Sequence, residues 1–298
     1  MTNRVLSPAF ETLPRPDWLT RQVWPFESFG VPSGGSRLAV TDTGSGPTLL
    51  FVHVGTWSFV WRDLVNRLRS DFRCVFFDAP GNGRTEDRPG ARVSIQRASL
   101  AVSDVIAALR LTGITVVMHD LGGPTTLAAI AEIPEQIRGI VAMNTFGWRP
   151  DVLPLRFMLA LMGNSLVREI NAATGFLPRI ASTAFGVGRR LDQPSRAAFR
   201  AGVGARGRRA FHDYVQDARH GYRLYPAIDR ALRGPLVGTP FLSIFGERND
   251  PFGFQPRWKA LFPHARQEII AGGNHFPMCD DPDFCARVIR EWHREHVA

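Results

Sequence analysis

Cysteine is scarce in this sequence. Only Cys74, Cys279 and Cys285 occur among 298 residues, and their spacing is irregular. Three such thiols exclude both a disulfide framework and the closely spaced ligand pairs of a structural zinc site. We therefore expect reduced thiols, a cytoplasmic location and no bound metal.

Long apolar stretches are missing as well. A membrane-spanning helix needs about 20 consecutive apolar residues, and no window of this sequence is that apolar over such a length. The first residues, MTNRVLSPAFETLPRP, are polar and contain no apolar signal core. The sequence therefore predicts a large globular domain without membrane association.

Lysine is almost absent, because Lys259 is the only one, and arginine carries the remaining positive charge. The formal net charge of +9 belongs to one segment: residues 149–233 contain 15 arginines and six acidic residues, whereas the rest is balanced. Seven arginines fall within 21 positions, namely Arg189, Arg190, Arg196, Arg200, Arg206, Arg208 and Arg209. They indicate either a solvated helical surface or a device that attracts an anionic substrate or an acidic partner.

What the sequence does contain is a strand that turns sharply into a helix. Ile114 to Met118 are apolar and mostly β-branched, which predicts a buried strand. Gly122 and Gly123 then open an alanine- and leucine-rich helical run. A reactive side chain at such an apex, with small residues packed behind it, is the nucleophile elbow of the α/β-hydrolase fold. The alternative is that the apex residue, Asp120, merely caps the helix.

An aspartate at the apex determines the chemistry. Serine at this position attacks acyl carbon and suits esters. A carboxylate instead displaces a leaving group from saturated carbon, and the alkyl ester that remains on the enzyme is cleaved by water.

Strand and helix patterns alternate through much of the chain, which predicts an α/β fold with a mostly parallel, doubly wound sheet. The other predicted strands are Leu38 to Thr43, Thr48 to Val52, Cys74 to Phe77, Gly139 to Asn144, Phe241 to Phe245 and Gln267 to Ile270. The alternation stops between Trp148 and about Leu236, where helical runs dominate. We therefore predict an α/β core of residues 1–147 and 237–298 with a helical cap, residues 148–236, inserted into it. Residues 1–35 are expected to lack regular structure.

Three residues fall at the carboxyl ends of predicted strands, where open α/β sheets place their ligand sites. They are Asp120, Asp250 and His275, in the order of nucleophile, acid and histidine that this fold uses. His275 would activate water, and Asp250 would fix its tautomer and stabilise the imidazolium ion. Glu247 is a competing acid. Asn144 ends an earlier strand but cannot serve as a carboxylate.

An oxyanion hole requires two backbone N–H groups. We expect one from Leu121, directly after the apex residue, and the other from Gly55 in the loop after the second strand.

The chain resembles the haloalkane dehalogenases and the related epoxide hydrolases over nearly its whole length outside the cap. The segments that carry this resemblance are LLFVHVGTWSFVWR, VVMHDLGGPTT, VAMNTFGW, IFGERNDP, RWKALFPHAR and GGNHFPMCDDP. The resemblance implies the nucleophile, acid and base roles for Asp120, Asp250 and His275.

The departures from the dehalogenase pattern concern the halide. In the dehalogenases a tryptophan follows the nucleophile and donates its indole N–H to the leaving halide, but Leu121 stands here. The loop after His53 is one residue shorter and lacks the asparagine that many of them use as a second donor. Trp57, Trp61 and Trp148 are candidates to replace these donors, although each also fits a core position.

Epoxide hydrolases need cap tyrosines that protonate the opening ring. Only Tyr214, Tyr222 and Tyr225 are available. His212 with Tyr214 is a conceivable donor pair, and the alternative is that both are surface residues of the cap.

The sequence thus predicts a hydrolase with an aspartate nucleophile, haloalkane dehalogenase-like in its chemistry, with epoxide hydrolase as the alternative. A non-catalytic binding protein on the same fold is less favoured. We expect no cofactor, a mostly apolar and alternatively anionic small-molecule substrate, and no nucleic acid partner, since a capped site cannot read a groove. The predicted substrate contacts are Trp57, Asn144, Trp148, His212 and Tyr214.

Overall fold

The computed structural model describes residues 10–220 and 223–297. Within them, nine strands form one mixed sheet in the order β1-β2-β4-β3-β6-β7-β8-β9, with the two-residue β5 paired to β2. The strands are β1 Phe29–Ser33, β2 Ser36–Thr43, β3 Thr48–Val54, β4 Arg73–Phe77, β5 Glu86–Asp87, β6 Ile114–Asp120, β7 Ile137–Thr145, β8 Phe241–Gly246 and β9 Arg266–Ile270. From β4 to β9 neighbouring strands are parallel, while β1, β2 and β4 pair antiparallel. The predicted α/β fold class is therefore confirmed.

Helices cover both faces of this sheet. They are α1 Arg62–Leu68, α2 Ile95–Ala108, α3 Gly122–Ile130, α4 Leu153–Met162, α5 Ser165–Thr174, α6 Phe176–Ala181, α7 Gln193–His220, α8 Tyr225–Arg233, α9 Phe254–Leu261, α10 Pro277–Asp280 and α11 Pro282–His296. Short 3-10 turns span Ser58–Trp61, Pro134–Gln136 and Val187–Arg189. No helix in the described part of the chain is both long and apolar enough to cross a membrane.

The core consists of two apolar layers, one on each face of the sheet. Along β3 every residue is buried, because successive side chains alternate between the two layers. Leu50 and Val52 belong to one layer, and Leu49 and Phe51 to the other. Parallel strands covered on both faces read as continuous apolar runs, which explains why these strands were predictable.

The helices between β7 and β8 are α4 to α8, in the segment for which the sequence predicts a cap. α7 is interrupted at Gly204, which has the non-helical angles φ 49° and ψ 175°. The first half of α7 rests on the core, where the indole Nε1 of Trp57 donates to the carbonyl of Phe199 at 3.0 Å. The division of the chain at residues 148 and 236 stays a prediction.

One expectation about the amino-terminal segment is wrong. Residues 29–33 were expected to be irregular, yet they form β1 and pair with β2 from Phe29 opposite Val40 to Ser33 opposite Ser36. β1 is an edge strand, the one place in a sheet that tolerates its Pro32. Residues 1–9 lie outside the described residues.

Candidate active site

Asp120 is the last residue of β6 and forms the apex of the turn into α3. Its φ of 52° lies in the left-handed region, which a residue with a side chain adopts at a cost of about 1–2 kcal/mol. Two glycines permit this turn. A Cβ on Gly122 would lie 2.3 Å from the carbonyl oxygen of Val52, and one on Gly123 would lie 2.0 Å from Oγ1 of Thr145. The local steric demand inferred from the sequence is therefore present in the structure.

His275 faces Asp120 from the loop between β9 and α10. Its Nε2 lies 3.4 Å from Oδ2 of Asp120, and the side chains of Asp120 and His275 are 25% and 33% exposed. Burial raises the pKa of the Asp120 carboxyl, but the hydrogen bond and charge of His275, with the amide of Leu121, outweigh it and lower the pKa. Asp120 is therefore a carboxylate at neutral and mildly acidic pH.

The partner on the other side of His275 is Asn249. Nδ1 of His275 donates to Oδ1 of Asn249 at 2.8 Å, so Nδ1 keeps its proton, and Nε2, on the side of Asp120, is the nitrogen that gains or loses one. Asn144 positions this amide, since its Nδ2 donates to both the carbonyl and Oδ1 of Asn249, at 2.9 and 2.8 Å. Oδ1 of Asn144 in turn accepts from the amide of Gly246 at 2.8 Å.

The predicted role of Asp250 as the acid is wrong in this structure. Its two carboxylate oxygens accept the amides of Phe254 at 2.6 Å and Gln255 at 2.8 Å, at the start of α9. The first amides of a helix have no partner within the helix, and a carboxylate satisfies them well. The competing acid, Glu247, accepts instead from the amide of Gly272 at 2.7 Å. Among the described residues no carboxylate hydrogen-bonds Nδ1 of His275.

The oxyanion hole is only half as predicted. The amide of Leu121 is near enough to the Asp120 carboxylate to lower its pKa, as expected for one of the two donors. The amide of Gly55, however, donates to Oδ1 of Asn82 at 3.2 Å and is not free to act as the second donor. Asn82 lies in the turn after β4, and no sequence pattern indicates that its side chain reaches the loop of Gly55.

Asp120 and His275 open into a cavity of about 420 Å³ between the sheet and the inserted helices. Its walls are mostly apolar side chains, including Leu121, Phe146, Leu155, Leu159, Phe211 and Val215. The polar lining side chains are Thr56, Asn144, Asn171 and Asn249. Among the described lining residues, Asp120 is the only acidic one. Arg208 is the only arginine among them, and none of them is a lysine.

Comparison with known families agrees with this geometry. A model of the Alpha/beta hydrolase family matches residues 49–288. The chain belongs to the alpha/beta hydrolase family. It is an enzyme of that family, and it is similar to a curated haloalkane dehalogenase along most of its length.

The hydrolase is similar to curated proteins along most of its length. It is 29% identical over 276 residues to Haloalkane dehalogenase 2 of Mycobacterium tuberculosis, covering 91% of this chain and 96% of the relative. It is also 29% identical over 275 residues to a cis-3-alkyl-4-alkyloxetan-2-one decarboxylase of Shewanella oneidensis, covering 87% of this chain and 86% of that protein.

Solved structures share the hydrolase's fold at lower identity. The haloalkane dehalogenase DbeA from Bradyrhizobium elkani matches with a TM-score of 0.77 at 18% identity, over 90% of this chain and 97% of that one. The epoxide hydrolase CorEH matches with a TM-score of 0.75 at 15% identity, over 90% and 98%.

Most of the predicted substrate contacts lie away from the cavity of this hydrolase. Trp57 is buried beneath α7, and Trp148 packs on Trp258 with ring centroids 4.9 Å apart. Neither residue lines the cavity, so their indoles do not replace the missing halide donors. Of the five predicted contacts only Asn144 is a lining residue.

The predicted donor pair in the cap is also buried elsewhere. Nε2 of His212 contacts Nδ2 of Asn171 at 3.0 Å, and its Nδ1 hydrogen-bonds the carbonyl of Met162. The hydroxyl of Tyr214 donates to the carbonyl of Pro80 at 2.6 Å. Neither residue lines the cavity, so they are not substrate contacts, and both are buried, so they are not the surface residues of the alternative interpretation.

Proposed function

We propose that this protein is a haloalkane dehalogenase-like hydrolase in which Asp120 is the nucleophile and His275 the base. The observation that carries the proposal is the ionised Asp120 carboxylate at the apex of the elbow. It faces His275 at 3.4 Å and opens into an apolar cavity of about 420 Å³. An apolar cavity with a carboxylate at its end suits an alkyl substrate with one electrophilic carbon.

The proposed reaction has two steps. In the first, an oxygen of Asp120 bonds to the substrate carbon, the carbon–halogen bond breaks, and the halide departs with its electron pair. In the second, water attacks the carbonyl carbon of the aspartyl ester while Nε2 of His275 takes its proton, and the alcohol leaves. The Leu121 amide is placed to stabilise the oxyanion of this second step.

The leaving group has no indole or phenol donor, because no tryptophan or tyrosine is among the described residues that line the cavity. For the epoxide alternative the described tyrosines supply no acid, because the hydroxyls of Tyr214 and Tyr225 donate to backbone carbonyls at 2.6 and 2.8 Å. Burial of both phenols raises their pKa. Tyr222 lies outside the described residues.

The missing donors favour a second candidate, opening of a β-lactone, the ring named in the Shewanella relative. Asp120 would attack the saturated ring carbon that is bonded to the ring oxygen. This attack would break the strained bond between that carbon and the ring oxygen and leave a carboxylate, which needs no proton. Loss of carbon dioxide from that carboxylate would then form the alkene and expel Asp120. Neither step consumes water, which suits a histidine that has Asn249 rather than a carboxylate behind it.

A substrate panel distinguishes these reactions. Purified protein is offered 1-bromohexane, 1,2-epoxyhexane and a cis-3,4-dialkyl oxetan-2-one, with halide, diol and alkene measured respectively. The proposal expects bromide release that is lost in Asp120→Ala and largely retained in the matched control Asp250→Asn. In His275→Phe the alkyl ester should accumulate on Asp120, as seen by intact-protein mass. Alkene alone would select the lactone reaction, and bromide release that survives Asp120→Ala would exclude the nucleophile.

A further inference from the structure

Six of the seven clustered arginines have hydrogen-bonding or ionic partners. Of the seven between Arg189 and Arg209, Arg189, Arg190, Arg206 and Arg209 form ion pairs with acidic side chains. Arg196 donates to two backbone carbonyls, and Arg200 donates to the hydroxyl of Ser182. These six arginines therefore connect the inserted helices to one another and to the core.

Arg208 is the exception. It has no hydrogen bond or ion pair among the described residues, and its Nε is buried without a partner. A buried guanidinium N–H without an acceptor is costly, so an isolated one calls for an explanation. The adjacent Arg209, by contrast, forms an ion pair, because its Nη2 lies 3.1 Å from Oε2 of Glu169.

The position of Arg208 supplies that explanation. Residues 208, 211 and 215 share one face of α7, and Arg208, Phe211 and Val215 all line the active-site cavity. Phe211 lies over the loop that follows β3 and contains Gly55, since a Cβ on Gly55 would come within 3.1 Å of the Phe211 ring. Arg208 is thus about one helical turn from the residue that covers this loop.

The surroundings leave room for the guanidinium and supply no anion. Gly175, the left-handed residue that ends α5, approaches it so closely that a Cβ there would lie 2.4 Å from Nη1. The polar lining residue on that helix, Asn171, is occupied by His212 and by the amide of Leu177. Among the described residues that line the cavity, Asp120 is the only acidic one, and His275 already partners it.

We propose that Arg208 binds a carboxylate of the substrate, and that the natural substrates are therefore alkyl chains with an electrophilic carbon at one end and a carboxylate at the other. The inference rests on the proposed function for the electrophilic end. An apolar cavity of about 420 Å³ accommodates the alkyl chain between the two polar groups. The cation also keeps the substrate's own negative charge away from Asp120, since two carboxylates at the reaction centre would repel each other.

The test compares 6-bromohexanoate with its methyl ester, which has the same chain and leaving group but no charge. In Arg208→Gln, kcat/KM for the acid should fall roughly ten- to a hundredfold, the contribution of a charge-assisted hydrogen bond, while the ester changes by less than about twofold. Arg208→Lys should recover part of the loss. The matched control, Arg209→Gln, removes an exposed paired charge and should leave both substrates within about twofold. Equal losses on acid and ester in Arg208→Gln would overturn the inference.

Salt separates a cavity site from steering by surface charge. Exposed charges are screened beyond roughly 8 Å at physiological salt, whereas a pair inside a cavity is screened much less. The wild-type preference for the acid should therefore persist at raised ionic strength. A preference that disappears with salt would assign the effect to the protein surface and overturn the role of Arg208.

Binding of hexanoate decides the inference even if the proposed chemistry fails. Should neither bromo compound release bromide, the proposed function is wrong, and isothermal titration with hexanoate still reports on Arg208. Binding that is lost in Arg208→Gln and kept in Arg209→Gln supports the carboxylate site. Binding that is equal in all three proteins, or absent from the wild type, contradicts it.

Discussion

Replacing Asn249 by aspartate is the most informative change to the histidine. Nδ1 of His275 donates to Oδ1 of Asn249 at 2.8 Å, and Asn144 donates to the same oxygen at 2.8 Å. Aspartate has nearly the same shape, so both hydrogen bonds should survive. The change therefore adds a negative charge behind the imidazole with little disturbance to its geometry.

The size of the effect follows from the two kinds of hydrogen bond. A neutral hydrogen bond contributes about 1 kcal/mol, whereas one to a charged group contributes about 1.5–3 kcal/mol. The imidazolium that forms during ester hydrolysis should gain about 1–1.5 kcal/mol, or roughly five- to fifteenfold in the rate of that step. The gain in imidazolium stability cannot exceed the Coulomb energy of the pair, which is about 4 kcal/mol for two charges 4 Å apart at an effective dielectric constant of 20. Alkylation of Asp120 should change little, because His275 gains no proton in that step.

Rapid-quench kinetics with intact-protein mass separates the two steps. In the wild type the aspartyl ester should accumulate, and in Asn249→Asp its steady-state level should fall as turnover rises. The acidic limb of the hydrolysis profile should move to higher pH, because a stabilised imidazolium loses its proton less readily. Asp250→Asn serves as the control, since asparagine can still cap α9 through its Oδ1 and the change removes no partner of His275. A folded Asn249→Asp with slower or unchanged ester hydrolysis would refute this account of the histidine.

Three further predictions address the rest of the site. Leu121→Trp should raise bromide release roughly ten- to a hundredfold if an indole donor is what the cavity lacks, with thermal melting to check for overpacking; fast release by the wild type would contradict this explanation. Gly123→Ala should lower the free energy of unfolding by at least about 1–3 kcal/mol in urea titrations, because the new Cβ would lie 2.0 Å from Oγ1 of Thr145; unchanged stability would contradict that contact. Burial lowers the pKa of His53 to about 3 and that of His119 well below its usual 6.5. Below pH 6.5 the unfolded chain therefore binds more protons at these two histidines than the folded protein does. Stability should then fall by about 1.4 kcal/mol per pH unit for each histidine as pH drops from 6.5 toward 3, and a melting temperature that is flat across this range would contradict it.

Much of the fold could be predicted because steric and apolar demands are local. The glycines after Asp120 are required by the carbonyl of Val52 and the side chain of Thr145, and a buried parallel strand reads as an apolar run. The strand Phe29–Ser33 escaped prediction because glycine and proline interrupt its pattern, and only its edge position makes them acceptable.

The partner of His275 could not be settled by residue type. The amide of Asn249 returns to the carbonyl of Gly246 at 2.9 Å, and this turn directs Asn249 toward the histidine and Asp250 toward the start of α9. A shift of one residue in a loop thus exchanges an acid for an amide. Sequence reasoning preferred Asp250 because it is the better catalytic residue, whereas the turn geometry decided the contact.

Long-range contacts decided the remaining residues. The amide of Gly55 is taken by Asn82, and the indole of Trp57 by the carbonyl of Phe199. A buried tryptophan in a core and one beside a substrate have the same sequence pattern, so Trp57 and Trp148 were indistinguishable from cavity residues. Arg208 was one of seven similar arginines until the partners of the other six were known.

The central claim is that Asp120 becomes covalently attached to the substrate, and isotopic labelling tests it most directly. Turnover in water enriched with oxygen-18 should place the label in the Asp120 carboxylate, because water attacks the carbonyl carbon of the aspartyl ester rather than the substrate carbon. Peptide mass spectrometry should find the label in the peptide that contains Asp120, and a single turnover should leave the product alcohol unlabelled. Label that appears in the alcohol after one turnover, with none in Asp120, would contradict the account.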